Sequence, residues 1–168
     1  ILRHSSSVRS EGFTVKIGKE LERLIDEIKS EVVFSTLSKG DIDLANEWVR
    51  ELRGILKELI KTLNISGITL SKEVKSFIED PLQHLKKKLF IYTHDLVRRS
   101  MDLDTYLRTS MAAVRTSFRT NLRTIYQLWV LSSVLMELRR YGNLRLIYPE
   151  YGYLSFDRSG KQKTGTIP

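Results

Sequence analysis

Arginine recurs at Arg108, Arg115, Arg119 and Arg123, within a stretch from Thr105 to Met136 that holds no acidic residue. On a helix, at about 100° per residue, the first three fall within roughly 40° of one another, and Arg123 lies about 40° beyond Arg119. That face turns away from the seam marked by Leu107, Val114 and Phe118. A guanidinium is a planar fork of donors that matches phosphate bidentately. Thr109, Thr116, Thr120 and Thr124 add neutral donors beside it. The chemistry this pattern suits is attachment to the phosphate backbone of DNA or RNA, without reading of bases. Lys86, Lys87 and Lys88, near Arg98 and Arg99, form a second basic cluster, and Lys161 and Lys163 a third. The competing account pairs the arginines with acidic helix faces carrying Glu47, Glu51 and Glu58.

Other chemistry has thinner support. His94-Asp95 is a pair that some metal-dependent phosphohydrolases use, but only His84 and His4 remain to complete a ligand set. "RSGKQKTG" contains a Gly-Lys step without the glycine five residues earlier that a phosphate loop needs. No Ser-His-Asp or Cys-His arrangement stands out, and Glu150 and Asp157 sit where turn residues belong. The expectation is therefore no catalytic residue, no metal ligand and no cofactor in this chain.

The composition frames these sites. The 168 residues, 41% hydrophobic and 29% charged, suffice for one hydrophobic core with a small appendage. The net charge of +8 is unevenly placed. Residues 1–80 carry 13 basic against 14 acidic side chains, and residues 81–168 carry 15 against 6. An anionic partner for the second half follows, with a merely solvated cationic surface as the alternative. Cysteine is absent, which fits a reducing compartment. The longest apolar run, Ile125 to Met136, is shorter than the roughly 18 residues of a membrane span. With no signal-peptide pattern either, the expected location is the cytoplasm, with no membrane partner. Ile1 at the start and "KTGTIP" at the end suggest a piece of a longer protein.

Helices must position these residues. Residues 1–13 read as a flexible tail, residues 14–142 as a helical bundle domain, and residues 143–168 as a β-hairpin with a basic loop at the edge of a following domain. Leu21, Leu24, Ile25, Ile28 and Val32 predict a first helix, and Ala45, Trp48, Val49, Leu52, Ile55, Leu56, Leu59, Ile60 and Leu63 a second. Ser71 opens a short helix closed at Asp80-Pro81, and Pro81 starts another that runs to Ser100. Leu103, Leu107, Met111, Val114, Phe118, Leu122, Ile125 and Trp129 step by three and four as a heptad-like seam, either one long helix or two with a kink near Thr120-Asn121. After Gly142 the period shortens, predicting a hairpin of Leu144–Tyr148 with Tyr153–Phe156. The fold class is mainly α, a bundle of about five helices with a small C-terminal hairpin.

"IYQLWVLSSVLMELRRYG" at 125–142 resembles the helix that opens the nuclease core in restriction-endonuclease-like proteins of the PD-(D/E)xK superfamily. "FIEDPLQHL" through "LMELRRYG" is similar in order and spacing, so the resemblance covers about residues 77–157. It implies a helical region preceding a catalytic sheet, and Mg²⁺-dependent phosphodiester cleavage once that core is complete. Gln127 stands where the family has a glutamate, and "KQK" at 161–163 has lysine where the carboxylate belongs. The resemblance thus places the metal-binding strands, and any Mg²⁺, beyond Pro168. The resulting expectation is a nucleic-acid-associated helical region of a restriction-like nuclease, not catalytic alone. The alternative is a non-enzymatic helical interaction or assembly domain, whose 103–129 seam docks a second copy, as a homo-oligomer, or a different protein. A complete small nuclease is the third and weakest reading.

Overall fold

Apolar residues at three- and four-residue steps fold nearly the whole described chain into helices. The computed structural model describes the backbone of residues 4–143 and 152–156, and their side chains from residue 18 onward. Its helices are α1 (His4–Thr36), α2 (Lys39–Leu63), α3 (Lys72–Glu79), α4 (Pro81–Lys88), α5 (Phe90–Val97) and α6 (Leu103–Leu138), with strands β1 (Gly67–Thr69) and β2 (Tyr153–Ser155). The mainly α class holds. Helical backbone from His4 runs through the stretch read as a tail, because nothing between Ser5 and Phe13 breaks a helix as proline would. Among the described residues, no helix is long and apolar enough to cross a membrane.

The chain divides into two compact units. The first joins residues up to Ser38 with Leu85–Thr116, and the second joins Lys39–His84 with residues from Ser117 on. The sequence anticipated a single bundle over 14–142, but each unit is assembled from separated segments, and α6 contributes to both.

In the first unit Val33, Leu85, Leu89 and Val114 are fully buried. The helix expected from Pro81 to Ser100 is interrupted at Leu89, whose N–H bonds to the Lys86 carbonyl in a tightened turn. The Thr93 hydroxyl donates to the Leu89 carbonyl at 2.8 Å, leaving its oxygen to accept from the buried Tyr106 hydroxyl at 3.2 Å. α5 ends in a Schellman arrangement: Ser100 N–H reaches the Asp95 carbonyl, Arg99 N–H reaches that of Leu96, and Arg99 takes the left-handed conformation at φ 58°. Asp102 then opens α6, its carboxylate accepting from Thr105 N–H at 2.9 Å and Thr105 Oγ1 at 2.8 Å. Those two bonds, the backbone one foremost, hold the Asp102 carboxyl below its ordinary value. On α1, Val32 and Val33 are buried, whereas Leu21, Leu24 and Ile28, expected to face inward, are exposed.

In the second unit α2 buries Ile42, Ala45, Val49, Leu52, Leu56 and Leu59, the amphipathic period read from sequence. Ser71 caps α3, accepting from Val74 N–H, and Asp80 caps α4, accepting from Gln83 N–H at 3.0 Å with Pro81 in the first turn. Phe77, fully buried, meets the His84 ring edge-on at 5.5 Å and Phe118 at 6.3 Å. The Arg53 guanidinium donates to the carbonyls of Ile78 and Glu79, satisfying the end of α3.

The predicted C-terminal hairpin is corrected. Tyr153–Ser155 pairs in parallel with Gly67–Thr69, in the register Gly67 to Tyr153, Ile68 to Leu154 and Thr69 to Ser155. The predicted partner Leu144–Tyr148 lies outside the described residues. A turn signal beside a β-rich run names the nearest partner, whereas parallel strands join only through a long crossover, here all of α3 to α6. Close approach fixes the glycines. A Cβ on Gly67 would stand 2.9 Å from the Tyr153 ring, and Gly152, at φ 79°, would place one 2.8 Å from Ser66 Oγ.

Candidate nucleic-acid interface

The side chains that α6 buries are Tyr106, Ser110, Val114, Phe118, Asn121, Ile125, Leu128 and Ser132, stepping by three and four without interruption. This is one helix, not two. The buried face differs from the expected seam: Leu103 and Leu107 are exposed, and so is Trp129. The reason is compositional, because Ser110, Asn121 and Ser132 occupy buried positions that an apolar-residue count passes over. Asn121 is held there by a hydrogen bond from its Nδ2 to the Ser117 carbonyl at 2.8 Å. His84 Nε2 lies 3.3 Å from both Asn121 Nδ2 and Ser117 Oγ, and 3.6 Å from the Glu73 carboxylate. The histidine is thus a bonded core residue of the second unit.

Arg108 and Arg115 belong to the first unit, Arg119 and Arg123 to the second, and all four are exposed. Within each pair the helical period keeps the two on one side, about 20° apart for the first and about 40° for the second. None of the four forms an ion pair with a carboxylate among the described residues. For Arg119 and Arg123, which share the second unit with Glu47, Glu51 and Glu58, the account that paired them has no contact behind it. Among the described residues, no carboxylate takes up the donors of these guanidinium groups.

The lysine cluster divides. Lys86 is 8% exposed, and its Nζ lies 2.8 Å from Asp26 Oδ2, so this ammonium is engaged inside the first unit. Lys87 is exposed, and Lys88 is half-buried and already in contact with a partner. Lys87 alone of the three stands open to a phosphate. Lys161 and Lys163 lie outside the described residues. His94 is exposed, stacked on Phe90 with ring centroids 6.3 Å apart, and its Nδ1 is 3.8 Å from Asp95 Oδ1. Among the described residues no three His, Cys, Asp or Glu side chains gather as metal ligands. Gln127, at the position of the glutamate in the resemblance, is exposed on α6.

One feature of the second unit escaped sequence reading. A cavity of about 250 Å³ is lined by Trp48 and Glu51 from α2 and by Ile125, Tyr126 and Trp129 from α6. The Trp48 and Tyr126 ring centroids are 6.2 Å apart, with planes inclined at 37°. A signal was present: Trp48 with Glu51 and Tyr126 with Trp129 are each three residues apart, and so neighbours on one helix face. The apolar periods of α2 and α6 place both tryptophans in hydrophobic seams, which hides the pairing. Beyond the cavity, Leu131, Val134 and Leu138 form an exposed apolar stripe on α6.

No protein-family model, curated protein or solved structure matches this chain.

Proposed function

We propose that the chain is a nucleic-acid-associated helical region that grips backbone phosphate through the arginines of α6 and performs no catalysis alone. The observation that carries this reading is the exposure of Arg108, Arg115, Arg119 and Arg123 without a carboxylate partner among the described residues. Four guanidinium groups, with Asp104 the one carboxylate within a turn of any of them on α6, create a net positive potential. Their forked donors suit phosphate oxygens, and exposed phosphate contacts gain chiefly from release of condensed counterions. In the larger reading, this region precedes the catalytic sheet of a restriction-like nuclease, as the resemblance over 77–157 suggests.

The test is fluorescence anisotropy of labelled duplex and single-stranded DNA from about 50 to 200 mM salt, a range over which six to ten phosphate contacts cost about 10³- to 10⁵-fold in affinity. The expected outcome is steeply salt-dependent binding that largely disappears when the four arginines become glutamine. Binding indifferent to those changes, or none at low salt, overturns the reading.

A second reading draws on a separate observation. Leu131, Val134 and Leu138, exposed at i, i+3 and i+7, form the kind of stripe that helices use to associate. In that case the chain self-assembles, and sedimentation velocity over a range of protein concentrations would reveal a dimer abolished by Leu131→Ser with Leu138→Ser.

A further inference from the structure

We infer that the substrate of the α6 arginine face is single-stranded nucleic acid, its bases stacking on the exposed rings of Tyr126 and Trp129; this rests on the phosphate reading above and narrows it. The groups concerned all belong to the second unit. Arg123 follows Arg119 by four residues, Tyr126 follows Arg123 by three, and Trp129 follows Tyr126 by three. Such steps make each side chain the neighbour of the next. At about 100° per residue Tyr126 returns to within roughly 20° of Arg119. From Arg119 to Trp129 the track covers about 15 Å of helix axis at a rise of 1.5 Å per residue.

Both rings remain open to solvent, Tyr126 at 53% and Trp129 at 38% exposure. Trp48 of α2 lies against Tyr126, with ring centroids 6.2 Å apart and planes at 37°. The two rings pack on each other, so Trp48 braces the tyrosine and a base is received on the surface that Trp48 leaves uncovered. The Glu51 carboxylate shares the lining of the adjoining cavity with Trp48, Ile125, Tyr126 and Trp129. A negative charge there repels phosphate, which keeps the backbone on the arginine side and leaves the aromatic surface to the uncharged base. In a long duplex each base is already stacked between its neighbours, so its face is closed to a protein ring while its phosphates stay within reach. An unpaired base can turn onto Tyr126 or Trp129, and any base serves because each has a π-face. A cationic track leading to aromatic platforms is the combination that holds single strands without sequence preference. Arginines alone would hold either form of nucleic acid, whereas the rings add a contact that only the single strand can use.

The whole chain is titrated at low salt with three labelled ligands: oligothymidylate, an abasic strand of the same length, and a long duplex. The abasic strand keeps the phosphates and lacks the bases. Both tryptophans of the chain line the cavity beside Tyr126, so their emission reports a base arriving there. The expected result is that oligothymidylate binds more tightly than the abasic strand and quenches tryptophan emission, and that the abasic strand and the duplex do not quench it. Tyr126→Leu should weaken oligothymidylate binding about tenfold and leave the other two ligands unchanged. Tyr126→Phe, which keeps the ring, should bind as the unaltered chain does. Unchanged far-UV dichroism would show that both variants fold. Equal affinity for oligothymidylate and the abasic strand, no quenching, or an equal loss for all three ligands in Tyr126→Leu overturns the stacking and leaves the phosphate track standing. Failure of all three ligands to bind overturns both.

Discussion

From Thr105 to Arg123, the outward side of α6 carries four guanidinium groups; from Tyr126 to Leu138 it carries Tyr126, Leu131, Val134 and Leu138. The buried side does not change at the transition. Val114, Ile125 and Ser132 are all essentially inaccessible, at the same three- and four-residue steps. Burial therefore constrains one side of the helix to a common rule, while the other side is released from packing and free to carry different chemistries in succession. Positive charge occupies the first part, where the stretch from Thr105 onward holds no acidic residue up to Met136. Aromatic and aliphatic surface occupies the second, where the cavity also lies.

The largest effect should separate the two sides. Ile125→Ala removes a side chain that is 1% exposed and should cost about 3 kcal/mol in urea denaturation. Leu131→Ala, at 44% exposure, should stay within about 0.5 kcal/mol. Similar costs for both would end the distinction. Next in size, changing all four arginines to glutamine should lower the slope of log affinity against log salt by about four, one for each contact. Leu131→Ser with Leu138→Ser should leave that slope alone, and a comparable loss there would merge the two surfaces into one.

Smaller effects test how the first part of α6 is held. Tyr106→Phe deletes the hydroxyl shared with Thr93 and should cost about 1 kcal/mol, measured by thermal unfolding. The least is a pH effect at the start of the helix. Because the folded value of the Asp102 carboxyl lies below the ordinary 3.8, its stabilisation is present above that value and is lost as pH falls through the lowered one. Asp102→Asn should remove that part of the acid sensitivity while keeping a competent cap, and an unchanged acid profile in the variant would count against the cap as its source.

Much of this architecture was legible in the residues. The α2 period, the Ser71 cap, the Asp80-Pro81 boundary and the arginine spacing all depend on local rules, which sequence states directly. The misreadings arose where a distant partner decides. Ser110, Asn121 and Ser132 are buried although polar, so a count of apolar residues drew the α6 seam along a neighbouring face. Lys86 looked like part of a basic surface, yet Asp26, far away in sequence, holds it. Trp48 and Trp129 resembled core residues because their shared cavity requires two helices at once.

The pairing of β1 with β2 bears on how this protein is made. Gly67 and Tyr153 are separated by about half the chain, and Ser66 N–H is satisfied by the Gly152 carbonyl at 2.7 Å. During synthesis β1 emerges long before its partner, so its outer edge waits through the translation of α3 to α6. Closure of the second unit consequently waits until β2 has been made. Slow, long-range strand pairing of this kind limits folding rate more than helix formation does. Truncations that end before Tyr153 should retain helical dichroism but lose the cooperative unfolding of the second unit.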